Sequence, residues 1–199
     1  AVARVGQRDQ AIDPAVQTPL GSVWKLFVYA YLQARNVDEA PYRCAVGQRR
    51  ADEEYCCDPG ERIERDAALA RSCGPYFDPA RLALDAGDWT AFWRAQWAAR
   101  PGASAGTSDP PLPPWLADPH ALQPERMVAV PTLLQALRAI PVAPRMAART
   151  ALLPVAIRHD AVLGALGTGP RFKTWSRHPD RTLAGIAEMD VRVDQAGQD

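Results

Sequence analysis

The sequence predicts an α+β fold in which a helical lobe packs against a small antiparallel β-sheet. Most of the chain carries helical hydrophobic patterns, and the best strand patterns lie near its two ends. The composition is 47% hydrophobic over 199 residues, which is enough apolar material for one sizeable core. We therefore expect residues 1–199 to form a single domain.

The individual elements follow from hydrophobic spacing and from turn residues. Helices are expected at residues 22–35, 62–72, 78–100, 128–141 and 144–157. One short strand is expected within residues 1–20, and alternating apolar residues predict another at 182–194. Residues 101–119 are rich in Pro, Gly and Ser and are expected to form a long loop.

Three tryptophans recur every four residues in the third predicted helix, at Trp89, Trp93 and Trp97. Such a stripe is typical of a helix face that packs into the core, and it is less typical of a ligand site. The acidic run Asp52-Glu53-Glu54 is interpreted as a solvated face of the protein and not as a metal site.

The net charge of the chain limits the kinds of binding partner that we expect. It is zero, so no electrostatic attraction to nucleic acid or to a membrane surface is expected. No apolar run reaches the roughly 18 residues that a bilayer span needs. No cofactor is expected, and no pair of histidines has the spacing of metal ligands.

The four cysteines, Cys44, Cys56, Cys57 and Cys73, fall within 30 residues. An even, clustered set predicts two disulfides and therefore an oxidising compartment, periplasmic or extracellular. A bond between the adjacent Cys56 and Cys57 is strained, and the other two connectivities remain open. The competing zinc site is disfavoured because the paired C-x-x-C pattern is missing and no histidine lies nearby.

Serine and lysine are scarce: the chain has five serines and two lysines, and Ser22 precedes Lys25 by three positions. On a helix these two residues share a face. A serine hydroxyl becomes a nucleophile when a base takes its proton, and lysine is such a base when burial or a neighbouring cation lowers its pKa. The alternative is that Ser22 caps the helix and Lys25 extends its amine to solvent.

Two further short motifs contain Ser72 and the second lysine, Lys173. With "SVWK" (22–25), "SCG" (72–74) and "KTW" (173–175), the chain resembles the serine penicillin-recognising superfamily of penicillin-binding transpeptidases and β-lactamases. The signature of that superfamily is S-x-x-K, S-D-N and K-T-G. The resemblance covers residues 17–176 and implies a transpeptidase-like or β-lactamase-like fold.

The resemblance implies a role for each matching residue. Ser22 would form an acyl-enzyme, Lys25 would be its base, and Ser72 would relay the proton to the leaving group. Backbone N–H groups of Ser22 and Ser176 would form the oxyanion hole. The substrate-binding set would be Lys173, Thr174, Trp175, Ser176 and Gly74.

The function expected from this resemblance is a secreted serine acyl-transferase or hydrolase. Its substrate would be a carboxylate-bearing peptide or amide, such as a D-alanyl peptide of peptidoglycan or a β-lactam-like molecule. Gly74 stands where the superfamily has asparagine, and Trp175 stands where it has glycine. These departures favour an alternative, a weakly active or inactive domain that binds peptidoglycan or a protein partner.

The predicted strands are too few for the sheet of that superfamily. We therefore expect the domain to be incomplete at one or both ends, or its sheet to be reduced. A partner domain or chain would then complete the sheet by pairing with an exposed edge.

Overall fold

The computed structural model describes residues 2–5, 8–11, 13–50, 53, 56–101 and 110–159. Within these residues the predicted α+β class is confirmed, because the chain combines helices with short antiparallel strands. The helices are α1 Trp24–Arg35, α2 Arg65–Ala70, α3 Ala86–Ala98, α4 Pro114–Ala117, α5 Val130–Ala139 and α6 Val142–His159. The strands are β1 Val2–Val5, β2 Arg8–Ala11, β3 Gln17–Pro19, β4 Tyr42–Arg43, β5 Arg62–Ile63 and β6 Met127–Ala129.

The described strands form three separate two-stranded antiparallel ribbons, β1–β2, β3–β6 and β4–β5. Each strand has only two to four residues and is flanked by loops or helices, so each offers few backbone groups for further pairing. The strand predicted at residues 182–194 lies outside the described part of the chain. Nothing in the described part shows a transpeptidase or β-lactamase fold.

An aromatic core joins α1 to α3 and confirms the predicted burial of the tryptophan stripe. Trp89 and Trp93 are fully buried. The rings of Phe27 and Trp93 lie 5.4 Å apart in an edge-to-face arrangement, and those of Tyr31 and Trp89 lie 5.0 Å apart. Edge-to-face contacts are favourable because the positive edge of one ring meets the negative face of the other. This packing explains why α1 has little polar surface.

Two helices begin three or more residues later than the sequence predicts, each for a local reason. α3 begins at Ala86 and not at 78, because the Asp85 carboxylate accepts a hydrogen bond from the Asp88 N–H (2.8 Å) and caps the helix there. α2 begins at Arg65 and not at 62, because Arg62 and Ile63 pair with β4. The predicted loop at 101–119 contains the short helix α4, which begins at a proline, a residue suited to the first helical turn.

A polar network fixes α2 against α1. The Tyr29 hydroxyl donates to Asp66 (2.7 Å), and Arg65 pairs with the Glu39 carboxylate. Burial acts to raise the pKa of the Glu39 carboxyl, but hydrogen bonds from Arg65 and Tyr76 and the charge of Arg65 outweigh it, so the net shift is downward. The network therefore holds the first turn of α2 against the middle of α1.

Candidate functional site

The candidate site begins at the turn that carries Ser22. Residues 21–23 form one 3₁₀ turn that leads directly into α1, and Gly21 has a φ of 50°, a left-handed conformation that favours glycine. The Leu20 N–H donates to the Arg126 carbonyl (2.9 Å), and the Gly21 N–H donates to the Pro124 carbonyl (2.8 Å). These bonds continue the β3–β6 ribbon, so the ribbon positions Ser22 at the start of the helix.

Lys25 occupies the first turn of α1 and is buried, with 7% of its surface exposed. Its amine donates to the Ser72 carbonyl, with an Nζ–O distance of 2.7 Å. The same Nζ lies 3.1 Å from Ser72 Oγ and 3.4 Å from Ser22 Oγ. Because Lys25 does not extend to solvent, the alternative interpretation of a snorkelling lysine is wrong.

Ser72 reaches Lys25 from the C-terminal end of α2. The Cys73 N–H donates to the Ala68 carbonyl (2.8 Å) and the Ser72 N–H to the Leu69 carbonyl (3.1 Å). This pair of bonds is the Schellman arrangement, in which the residue at the Ser72 position takes a left-handed conformation and is usually glycine. Ser72 has a φ of 59°. A serine at a position that favours glycine is a strained backbone feature of the kind that concentrates at functional sites.

The cluster has the chemistry of a proton-transfer site. A protonated lysine offers three N–H donors, and the three oxygens of Ser22 and Ser72 named above are all acceptors. A neutral lysine offers a lone pair to which a serine hydroxyl donates. Ser22 and Ser72 are half-buried, whereas Lys25 is buried beneath them. The geometry therefore places the basic group below two hydroxyls that remain partly accessible.

The two disulfides are Cys44–Cys57 and Cys56–Cys73. They confirm the predicted disulfide bonding and decide between the two connectivities that the sequence left open. Because Cys73 follows Ser72, the second disulfide bonds the loop that contains Cys56 directly to the candidate site. All four sulfurs are engaged in disulfides, so none is a thiolate ligand for a metal in this state.

Glu53 is a structural centre that the sequence interpretation missed. It is 1% exposed, so the prediction of a solvated acidic face is wrong for this residue. Its carboxylate accepts hydrogen bonds from the Ala45 N–H (2.6 Å), the Tyr42 hydroxyl (2.8 Å) and the Arg50 N–H (3.2 Å). Burial raises the pKa of the Glu53 carboxyl, and these bonds together with the charge of Arg49 lower it by more. No local pattern distinguishes Glu53 from its acidic neighbours, because its burial depends on the folded loop.

Of the remaining predicted site residues, only Gly74 lies in the described part of the chain. Gly74 is buried and precedes the 3₁₀ turn Pro75–Phe77 with an ordinary φ of −61°. Lys173, Thr174, Trp175 and Ser176 lie outside the described residues. The structure thus brings Ser22, Lys25 and Ser72 together, and it leaves the predicted carboxylate-binding segment undescribed.

These features define a class: a disulfide-bonded α+β protein with a serine–lysine–serine cluster at the junction of two helices. Comparison with known protein families then assigns the chain to one of them. The chain belongs to the family described as "Predicted secreted protein (DUF2300)", whose model matches residues 48–181. This description confirms the predicted secretion, and it agrees with a periplasmic or extracellular location. Within the described residues, no helix is both long and apolar enough to cross a bilayer.

A similar protein is "Uncharacterized protein YfaQ" of Escherichia coli (strain K12). It is 39% identical over 173 residues, which cover 85% of this chain and 28% of that protein. The chain therefore spans less than a third of the relative that it matches. No solved structure matches the chain significantly.

The resemblance to the penicillin-recognising superfamily is corrected by these comparisons. They assign the chain to another family and match no penicillin-binding or β-lactamase family. The physical reason is that three short motifs specify little: an S-x-x-K pair needs only one helical turn, and similar constellations recur on unrelated folds. Ser22 and Lys25 lie before the matched range, whereas Ser72 lies within it.

Proposed function

We propose that the chain is a secreted serine acyl-transfer enzyme in which Ser22 is the nucleophile, Lys25 the base and Ser72 the proton relay. One observation carries the proposal. The buried amine of Lys25 lies within hydrogen-bond distance of the hydroxyls of Ser22 and Ser72, which are 50 positions apart in the chain (72 − 22). The three catalytic roles are proposed from the geometry of this cluster and not from the superfamily that the motifs resemble.

The reaction would proceed in two stages. Ser22 Oγ attacks the carbonyl carbon of an amide, and its proton passes to Lys25 Nζ. When the tetrahedral intermediate collapses, the C–N bond breaks, and Ser72 Oγ passes a proton from Lys25 to the leaving nitrogen. Water or an amine then attacks the acyl-enzyme, gives up its proton to the cluster, and releases Ser22.

The proposed substrate is a peptide or amide that carries a carboxylate, such as a D-alanyl peptide of the cell wall. A secreted protein encounters such peptides outside the cytoplasm. Lys173 and Thr174 are proposed to hold the carboxylate, since a lysine ammonium and a hydroxyl both donate hydrogen bonds to it. Trp175, Ser176 and Gly74 complete the proposed binding set.

A second candidate function is a non-catalytic domain that binds peptidoglycan or a protein partner. The favouring observation is that Lys25 Nζ lies closer to the Ser72 carbonyl (2.7 Å) than to the hydroxyl of Ser72 (3.1 Å) or of Ser22 (3.4 Å). An ammonium bound to a carbonyl is a common structural cross-link, and here it would join α1 to the turn after α2. In that case Ser22 would not be acylated.

The test is the intact mass of the folded, disulfide-bonded protein after incubation with each of two electrophiles. Benzylpenicillin is a strained amide with a carboxylate, and a fluorophosphonate reacts with activated serines without needing carboxylate recognition. We expect one adduct on the parent chain, none on Ser22→Ala, and a rate lower by about 10²–10⁴-fold on Lys25→Ala. Ser104→Ala, which removes a serine outside the three short motifs, is the control and should react like the parent.

Each outcome separates the two functions. An adduct that persists in Ser22→Ala would show that Ser22 is not the nucleophile. No adduct from either reagent would refute the catalytic proposal and favour the binding domain. An adduct from the fluorophosphonate alone would support the nucleophile and refute the carboxylate-bearing substrate class.

A further inference from the structure

We propose that Cys73, through its disulfide to Cys56, is a positioning residue that holds Ser72 against Lys25. The inference rests on the proposed function, because it assigns the disulfide a role in that same site. It predicts that the site is assembled fully only in the oxidised protein. The cysteines themselves take no part in the chemistry.

The first support is the conformation of Ser72. A left-handed backbone is unfavourable for serine and persists only where its surroundings hold it in place. Both hydrogen bonds of this turn converge on α2, and the next residue, Cys73, is fully buried. Because one peptide unit joins Cys73 to Ser72, fixing the Cys73 sulfur restricts where the Ser72 hydroxyl can point.

The second support is the anchor at the other end of the disulfide. The Cys56 N–H donates to the Glu53 carbonyl (3.2 Å), and the Glu53 carboxylate is bound by Tyr42 and by the Ala45 N–H. Glu53 is buried and its carboxylate accepts several hydrogen bonds, so the Cys56 N–H is bonded to a well-anchored residue. The disulfide therefore connects Cys56, anchored in this way, to the strained turn at Ser72.

A third contact reinforces the same connection. Arg71, the residue before Ser72, donates to the Cys56 carbonyl (3.4 Å) and pairs with Glu61 (2.6 Å). The residues on both sides of Ser72 are thus linked to Cys56, one by a covalent bond and one by a hydrogen bond. This arrangement is specific to the Cys56–Cys73 disulfide.

The other disulfide, Cys44–Cys57, provides a matched control. It lies in the same loop, and its sequence separation of 13 residues is close to the 17 residues of Cys56–Cys73. Since loop-closure entropy depends only weakly on length, removal of either bond should destabilise the fold to a similar degree. Only Cys56–Cys73 is bonded to the neighbour of Ser72.

The experiment compares Cys56→Ala/Cys73→Ala with Cys44→Ala/Cys57→Ala in acylation by the fluorophosphonate and benzylpenicillin. We expect a loss of about 10–100-fold in the first double variant and less than about threefold in the second, since small misplacements of a reacting group cost rates of this size. Thermal melts establish that each variant is folded. If Cys56→Ala/Cys73→Ala does not fold, Cys56→Ala/Cys73→Val fills the space of the lost sulfur and replaces it.

A second readout does not depend on catalysis. The chain contains two lysines, so selective ¹³C-lysine labelling yields two side-chain signals, and Lys173→Arg identifies that of Lys25. We expect the Lys25 Cε signal to shift when Cys56–Cys73 is removed and to stay in place when Cys44–Cys57 is removed. A merely stabilising disulfide would leave this signal unchanged in a folded variant.

The two readouts distinguish the possible failures. If the parent chain forms no adduct but the Lys25 signal moves only in the Cys56/Cys73 variant, the proposed function fails and the positioning stands. If the parent is acylated, and both double variants show the same acylation rate and the same Lys25 Cε signal, the positioning inference is overturned. Equal losses in both double variants would also overturn it, because they would indicate a general effect on stability.

Discussion

Two substitutions of Ser72 should differ in their effect on stability but not in their effect on activity, because the backbone of this residue is left-handed. Ser72→Gly removes the hydroxyl and also relieves the left-handed conformation at φ 59°. Ser72→Ala removes the same hydroxyl but keeps a Cβ at that φ. We expect the glycine variant to be the more stable of the two, and both to react slowly with benzylpenicillin.

The magnitudes follow from the contacts of Ser72. Loss of the 3.1 Å contact between Ser72 Oγ and Lys25 Nζ costs about 1 kcal/mol in either variant. Relief of the left-handed strain stabilises Ser72→Gly by about 1–2 kcal/mol. The greater freedom of glycine in the unfolded chain destabilises the same variant by about 0.5–1 kcal/mol. The glycine variant should therefore lie within about 1 kcal/mol of the parent and, from the middle of these two ranges, about 0.75 kcal/mol above the alanine variant.

Stability is measured by urea unfolding followed by tryptophan fluorescence, since three of the six tryptophans line the core stripe. Activity is measured as the rate of adduct formation with benzylpenicillin, whose leaving nitrogen needs a proton. We expect this rate to fall at least about tenfold in both variants, because the relay step loses its hydroxyl. The carbonyl contact of Lys25 with residue 72 remains in both, so neither variant should disorder Lys25.

Asn36 supplies the matched control. It occupies the equivalent turn at the end of α1 with a φ of 48°, and the Val37 N–H donates to the Leu32 carbonyl (3.0 Å). It lies 11 positions from Lys25 (36 − 25), or about 16 Å along the helix. Asn36→Gly and Asn36→Ala should show the same order of stability and react at the parental rate. An alanine variant at Ser72 as stable as the glycine variant would refute the strain argument, and parental rates in both would refute the relay.

Two further predictions concern the buried carboxylates. Burial acts to raise the pKa of Glu39, but hydrogen bonds from Arg65 and Tyr76 and the Arg65 charge outweigh it, so the pKa lies below its ordinary value of 4.5. The stabilisation that the ionised Glu39 carboxylate gives the fold is therefore present above this ordinary pKa. It is lost as the pH falls through the lower pKa of the folded state. Urea unfolding between pH 7 and about 3 should show a smaller acid loss of unfolding free energy in Glu39→Gln than in the parent, and parallel curves would contradict this. Glu53→Ala leaves the donors of the Cys loop without their acceptor and should cost about 3 kcal/mol, whereas Glu64→Ala at an exposed position should change stability by less than about 0.5 kcal/mol. Equal effects of these two substitutions would show that Glu53 is not the centre of the loop.

Local pattern was enough to predict most of the helices and the buried tryptophan stripe. A period near four residues marks one face of a helix wherever that helix packs. The helix starts were less accurate, because the Asp85 cap and the pairing of β5 depend on a single side chain or on a partner strand. The short motifs were misleading: they suggested a superfamily that the comparisons do not support, since a few residues at helical spacing specify local geometry and no fold.

The sequence by itself determined the clustering of the four cysteines, the scarcity of lysine and serine, and the shared helical face of Ser22 and Lys25. These are properties of neighbouring positions, and one turn of helix is sufficient to bring them about. Only the tertiary structure decided the disulfide connectivity, the burial of Glu53 and the approach of Ser72 to Lys25. The approach of Ser72 to Lys25 joins residues 47 positions apart and needs the packing of α2 against α1. The disulfide pairing and the burial of Glu53 join nearer residues, but they depend on how the Cys loop closes, which no local pattern specifies.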